Sequence, residues 1–171
     1  MICVGIIGGA GYTAGELIRL LLHHPQATIA FVHSSSNAGN ALTDVHAGLY
    51  GETDLLFTDQ MPFDIVDVLF LCSGHGESTR FLQSHDIPAR VKIIDLAQDF
   101  RLASPDHDFV YGLPEINRDA LRDAHHGLVA ALSAFQFALR YEYVMHENVR
   151  VAYQEREIAL HLESPNKLVA S

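Results

Sequence analysis

Gly8, Gly9 and Gly11 fall within four consecutive positions, between an apolar run and a stretch of helical spacing. Glycine lets a chain turn sharply and lets a phosphate approach the backbone. A helix start adds unpaired N–H groups and partial positive charge. Together they can hold a pyrophosphate without cationic side chains. Gly9-x-Gly11-x-x-Ala14 fits a dinucleotide fingerprint whose third small residue is Ala, and Gly8-x-x-Gly11-x-x-Ala14 is a second register. The plain alternative is a glycine turn with no ligand.

Two further loops carry groups of the right type. His33-Ser34-Ser35-Ser36 stands where a dinucleotide fold meets the adenosine ribose. A carboxylate there would bond the 2′-hydroxyl of NAD and repel the 2′-phosphate of NADP. Three hydroxyls can instead donate to a phosphate, which favours NADP, although three serines also make an ordinary polar loop start. Ser73-Gly74-His75-Gly76 is another glycine turn after an apolar run.

The surrounding patterns supply elements to position these loops. Ile2–Ile7 reads as a strand buried on both faces. Residues 14–22 read as a helix with Ala14, Leu17, Ile18, Leu21 and Leu22 on one face. Thr13-x-x-Glu16 could form a capping box at its start, the alternative being a helix that begins a residue or two earlier. His23-His24-Pro25 ends it. Thr28–Val32, Leu55–Phe57, Val68–Cys72 and Val91–Ile94 read as strands, the last leading into Asp95, and Glu77–Ser84 reads as a helix with Phe81 and Leu82 inward. Alternating strands and helices predict a Rossmann-like, doubly wound, mainly parallel α/β sheet. Ligands in such sheets bind beyond the carboxyl ends of the strands, where all three loops should meet.

The 171 residues suffice for one domain with a core. The formal charge is −10 with no basic cluster, which argues against a nucleic-acid surface but not against a nucleotide. The first apolar run is broken by glycines and lacks a basic leader, so no signal peptide is expected. Gly127–Leu139 is too short to span a bilayer and reads as a core helix, and no membrane partner is expected. Cys3 and Cys72 offer no CxxC pair and suit a reducing, cytoplasmic setting. Cys3 reads as core. Eleven histidines show no HExxH or Cys/His ligand spacing, so no metal is expected. His75-Gly76-Glu77 mimics the HxE of zinc deaminases without their PCxxC, and His75 reads as part of the turn over a cofactor. Asp95, Asp99 and Arg101 form a charged trio. An Asp99–Arg101 ion pair holding the loop is favoured over a role toward a substrate phosphate.

Several stretches resemble one family. Gly8-Gly9-Ala10-Gly11-Tyr12-Thr13-Ala14-Gly15-Glu16-Leu17 resembles the opening of N-acetyl-γ-glutamyl-phosphate reductases, the arginine-pathway members of the semialdehyde dehydrogenase group. Asn37-Ala38-Gly39, Leu71–Gly76, Asp95-Leu96-Ala97-Gln98-Asp99-Phe100-Arg101 and Tyr111-Gly112-Leu113-Pro114-Glu115 follow in the right order. The resemblance covers about residues 1–126. It implies an NADPH-dependent oxidoreductase in which a cysteine thiolate attacks an acyl phosphate, phosphate leaves, and hydride reduces the thioester to a semialdehyde. A histidine from a second domain assists. By the same resemblance Gly8, Gly11, Thr13 and Ala14 line the phosphates, with Tyr12 in that loop. Ser34 and Ser36, with Ser35 between them, lie near the 2′-phosphate, and Ser73 and Gly74 approach the nicotinamide ribose.

The resemblance breaks after Val129-Ala130. An Asn-Pro-Gly-Cys turn carrying the nucleophile should follow, but the chain runs Ala131-Leu132-Ser133-Ala134-Phe135. No such turn occurs in these residues, which puts the acyl-phosphate substrate in doubt. Cys72 is the one thiol near the cofactor edge, and a small buried side chain is its plainer reading. The expected organisation is a nucleotide-binding domain over 1–139 and an unmatched C-terminal addition over 140–171. That tail reads as two strands or as a helix over 154–162. The first expectation is thus a shortened or internally deleted reductase that binds NADP without full turnover. Another is a non-catalytic NADP-binding or interaction module, and a third an enzyme using NADPH without a thiol intermediate. Assembly into a homo-oligomer is left open.

Overall fold

A computed structural model of the chain describes residues 1–111, 120 and 128–129. Ile2–Ile7 forms β1, and its alternation feeds two cores. Val4 and Ile6 join one cluster, while Ile7 joins the other. Tyr12–Leu22 forms α1. It lays Ala14, Leu17, Ile18 and Leu21 into the first cluster, as the helical spacing requires, and Leu20 joins them. Truncating Leu17, which is fully buried, would cost about 2–5 kcal/mol.

The remaining elements are β2 (Ala27–His33), α2 (Leu42–Val45), β3 (Phe57–Thr58), β4 (Val68–Leu71), α3 (Glu77–Ser84), β5 (Lys92–Asp95), β6 (Val110–Tyr111) and β7 (Leu128–Val129). Every strand pairing in the sheet is parallel, and the order is β3-β2-β1-β4-β5-β7-β6. This is the doubly wound Rossmann-like sheet that the alternation predicts. The second cluster gathers Phe31, Leu69, Leu71, Val91 and Ile93, with Phe81 and Leu82 of α3 packed on it. Strand order reverses between β1 and β4, which opens the crevice where such sheets take ligands. Among the described residues no helix is long and apolar enough to cross a membrane.

Three expectations are corrected. The helix starts at Tyr12, the earlier of the two starts left open, so Gly11 is the N-cap, no side chain caps it and the capping box fails. Thr13 lies inside the first turn and cannot form the capping box, and Glu16 pairs with Arg19 at 3.2 Å. Cys3 is only half-buried, because β1 enters the sheet at an open end where Ile2 is also exposed. Leu128–Val129 is a strand between β5 and β6, where the apolar run suggested a helix. Short apolar runs are ambiguous by pattern alone, and a vacant place in a sheet decides them. The expected 140–171 tail and the rest of the 127–139 run beyond Val129 lie outside the described residues.

Candidate functional site

The chain leaves β1 through Gly8, which takes a φ of 75°. That left-handed turn suits glycine, and a Cβ here would stand 3.0 Å from the Cys72 carbonyl carbon and oxygen. The loop after β1 is thereby pressed against the end of β4. Gly9 sits against β2: its N–H donates to the His33 carbonyl at 2.8 Å, and a Cβ would strike Val32. Gly11 is exposed and begins α1. Ala14 is completely buried under the helix. The tight turn, open approach and packing position thus fall on Gly8, Gly11 and Ala14. This is the Gly8-x-x-Gly11-x-x-Ala14 register.

Gly15 is the residue whose N–H returns to the Gly11 carbonyl, at 3.1 Å. The amides of Tyr12, Thr13 and Ala14 precede it and have no helical carbonyl behind them. They form the anion-facing end of the helix dipole. The Tyr12 ring is 68% exposed, and Thr13 is half-buried. Ala14 can contribute only main-chain atoms, because its methyl lies in the core.

The second loop is built on Ser34, which is 7% exposed. Its N–H donates to the Thr58 carbonyl at 3.0 Å. The Asn37 side-chain amide donates to the hydroxyls of both Ser34 and Ser36, each at 3.0 Å. Those bonds use oxygen lone pairs, and since one of the two hydroxyls donates to the other, one hydroxyl hydrogen is left to donate elsewhere. Ser34 and Ser36 also lie 3.4 Å apart, while Ser35 and Ser36 are exposed.

A cavity of about 330 Å³ opens here, lined by Gly8, Ser34, Ser35 and Ser73 among others. All three expected loops contribute to it. Gly11, Tyr12, Thr13, Ala14, Ser36 and Gly74 do not line it. His33 of the serine loop lines it too, and the sequence reading missed the other wall, made from α3 and its end by Arg80, Phe81 and His85. Helical spacing marked Phe81 as inward but could not aim Arg80 at a distant strand end. The Phe81 and His85 rings stack at 4.3 Å. Burial pushes the His33 imidazole below its ordinary value, the nearby His85 adds to this, and Asp59 partly opposes it. Asp59 reaches this corner from the end of β3, a carboxylate that the loop sequence itself did not contain.

The charged trio is arranged differently from expectation. Asp99 does not hold its loop through Arg101. It accepts the Gly76 N–H at 2.7 Å and the Thr79 N–H and hydroxyl at 3.0 Å each. A remote carboxylate therefore caps α3, where the helix dipole favours negative charge. Burial works against its ionisation, but these donors and nearby His75 outweigh it, and its pKa falls below the usual aspartate value. Asp95 is fully buried at the end of β5. Its Oδ1 accepts the Ser78 hydroxyl at 2.7 Å and the Ala97 N–H at 3.1 Å. Among the described residues its Oδ2 has no hydrogen-bond partner, nor does the buried Nε of Arg101. Burial raises the Asp95 pKa, the two bonds partly offset it, and the Asp99 charge adds to it. Burial and the Asp95 charge likewise push the Cys72 thiol far up. A thiol so held is a poor nucleophile, although the residue is half-buried like Cys3 and not the fully buried side chain of the plainer reading. Among the described residues no cluster of His, Cys, Asp and Glu could hold a metal.

Comparison with known proteins adds a family. The model for the semialdehyde dehydrogenase NAD-binding domain matches residues 3–124. The N-acetyl-gamma-glutamyl-phosphate reductase of Bacteroides thetaiotaomicron is 65% identical over 126 residues, covering 74% of this chain and 39% of that protein. The protein of the same name from Flavobacterium johnsoniae is 49% identical over 130 residues, covering 74% and 40%. The chain thus spans about two-fifths of the length of these relatives. Among solved structures, aspartate semialdehyde dehydrogenase with NADP from Candida albicans superposes with a TM-score of 0.64 at 16% identity, over 85% of this chain and 46% of that one. Aspartate semialdehyde dehydrogenase II from Vibrio cholerae gives 0.57 at 17%, over 86% and 47%. At such identities the superpositions speak for the fold alone. With its glycine turn, strand order and matched residues together, the chain belongs to the semialdehyde dehydrogenase NAD-binding domain family.

Proposed function

We propose that this chain is the NADP-binding domain of an N-acetyl-γ-glutamyl-phosphate reductase, an oxidoreductase of arginine biosynthesis. The observation that carries the reading is the seating of Gly8 on Cys72 and Ser73 at the sheet's switch point. It sets the start of α1 beside the end of β4, where a pyrophosphate would run. The relatives' name supports the reaction class.

The residues fit the cofactor. Exposed Gly11 leaves room beside the amides of Tyr12, Thr13 and Ala14, which would bind the pyrophosphate. Ser34 and Ser36 would face the 2′-phosphate, one of them donating to it, while Asn37 holds their oxygens. The cavity beside Ser34 has the size for the adenosine end, with Arg80 at its wall. Ser73 and Gly74 would face the nicotinamide half. Bound NADPH supplies a hydride for reduction. The Asn-Pro-Gly-Cys nucleophile of the resembled family does not occur in these 171 residues, and the Cys72 thiol is held protonated. This polypeptide therefore binds cofactor without reducing an acyl phosphate.

Calorimetric titration with NADPH and NADH tests the proposal. Tight NADPH and weak NADH binding is expected. Equal affinities would remove the serine reading, and binding of neither would remove the cofactor reading.

A further inference from the structure

Both polar groups of Gly9 are tied down. Its N–H is bound by His33, as described above. Its carbonyl oxygen lies 2.7 Å from Nε2 of His46, thirty-seven residues further along. A carbonyl only accepts, so Nε2 carries the hydrogen in this pair. His46 is itself fixed from several sides. Its N–H donates to the Leu42 carbonyl at 2.8 Å, and its own carbonyl accepts from Leu49 at 2.9 Å. Its ring lies 6.1 Å from the Phe57 ring, tilted by 53°.

The other flank of the imidazole is α1, and the contact there needs glycine. A Cβ on Gly15 would stand 2.6 Å from Nδ1 and 2.9 Å from Cε1. Gly15 lies in a helix interior, where glycine is about 1 kcal/mol worse than alanine. Its absent methyl is the space the imidazole occupies. The pair is a lock on one peptide of the loop between β1 and α1.

That peptide matters because a loop that receives phosphate must point amides at it and keep carbonyls away. A carbonyl released from its donor is free to turn toward the anion, which it would repel. We propose that His46 is a positioning residue of the cofactor loop, its Nε2–H holding the Gly9 carbonyl out of the phosphate site in the clearance that Gly15 leaves. The inference rests on the cofactor reading above, and it adds a residue that no loop of the fingerprint contains.

The test compares the wild-type chain with His46→Gln, His46→Asn and Gly15→Ala by NADPH calorimetry and thermal melting. A glutamine amide nitrogen reaches the ε position, whereas an asparagine nitrogen stops at the δ position. His46→Gln should stay within about threefold of wild type, and His46→Asn should lose about tenfold, the worth of one such bond. Gly15→Ala puts a methyl against the imidazole and should lose affinity without gaining melting temperature, whereas helix propensity alone would raise the melting temperature and leave affinity unchanged. Wild-type affinity in His46→Asn, or equal losses in the Gln and Asn variants, would overturn the role. Nitrogen NMR of the wild-type imidazole covers the case of a variant that does not fold. It should show a slowly exchanging proton on Nε2, and a proton on Nδ1 instead would overturn the proposal. If wild type binds no NADPH while that Nε2 proton is present, the cofactor reading has failed rather than the lock.

Discussion

The Asp99 carboxylate receives the Gly76 N–H at 2.7 Å and so joins the loop after β5 to the start of α3. Gly76 has a φ of 75° and no capping side chain of its own, so the cap must come from elsewhere in the chain. Asp99→Ala should lower stability by about 1 kcal/mol, the usual worth of a helix cap. The pKa of Asp99 is lower folded than unfolded, so its contribution is complete above about pH 3.9 and is lost as pH falls through the folded value. Acid unfolding of wild type and variant should therefore converge at low pH. A constant gap down to the lowest pH would contradict the cap.

Asp95 should behave in the opposite sense. Its folded pKa is raised, so its contribution is complete below about pH 3.9 and declines as pH rises through the folded value. Asp95→Asn keeps an acceptor for Ser78 and Ala97 and removes the charge. Its melting temperature should fall less than that of wild type between about pH 4 and pH 7. Parallel melting curves across that window would rule this out.

Gly8→Ala combines a left-handed backbone with a Cβ pressed on the Cys72 main chain. A loss of about 1–3 kcal/mol is expected from the backbone conformation. The same change should disturb the loop enough to weaken NADPH binding. Chemical denaturation gives the first quantity and calorimetry the second. Unchanged values of both would show that the turn is not fixed as described.

Much of this architecture is written in local pattern. β1, the glycine turn and the buried face of α1 follow from an apolar run, three glycines and helical spacing. Glu77–Ser84 is helical as its spacing predicts, because Phe81 and Leu82 meet the second core cluster. The pattern fails where a distant partner decides. Leu128–Val129 becomes a strand because β5 and β6 flank it. Asp99 turns to Gly76 rather than to neighbouring Arg101, since two amides and a hydroxyl converge on it across the sheet edge. The wall of the cavity from Arg80 and His85, and the His46–Gly9 bond, join residues whose proximity only the tertiary fold creates. Thr13 misleads as a cap for a local reason: the glycine turn hands over to α1 at Tyr12, the earlier start that the spacing left open.

The serine loop makes a selectivity prediction. Ser36 is exposed, so Ser36→Asp should fold normally. A carboxylate there would repel the 2′-phosphate, and NADPH affinity should fall by about tenfold or more, equivalent to about 1.4 kcal/mol. NADH affinity should hold or improve. Titration of both cofactors checks this, and equal loss for the two would point to a damaged loop instead of a lost phosphate contact.

The most direct measurement is residue-resolved amide NMR of the chain titrated with NADPH. The account predicts that the amides from Gly8 to Ala14 move most as the site saturates, with Ser34, Ser35 and Ser73 following. Saturable binding that leaves Gly11, Tyr12, Thr13 and Ala14 unmoved would contradict it.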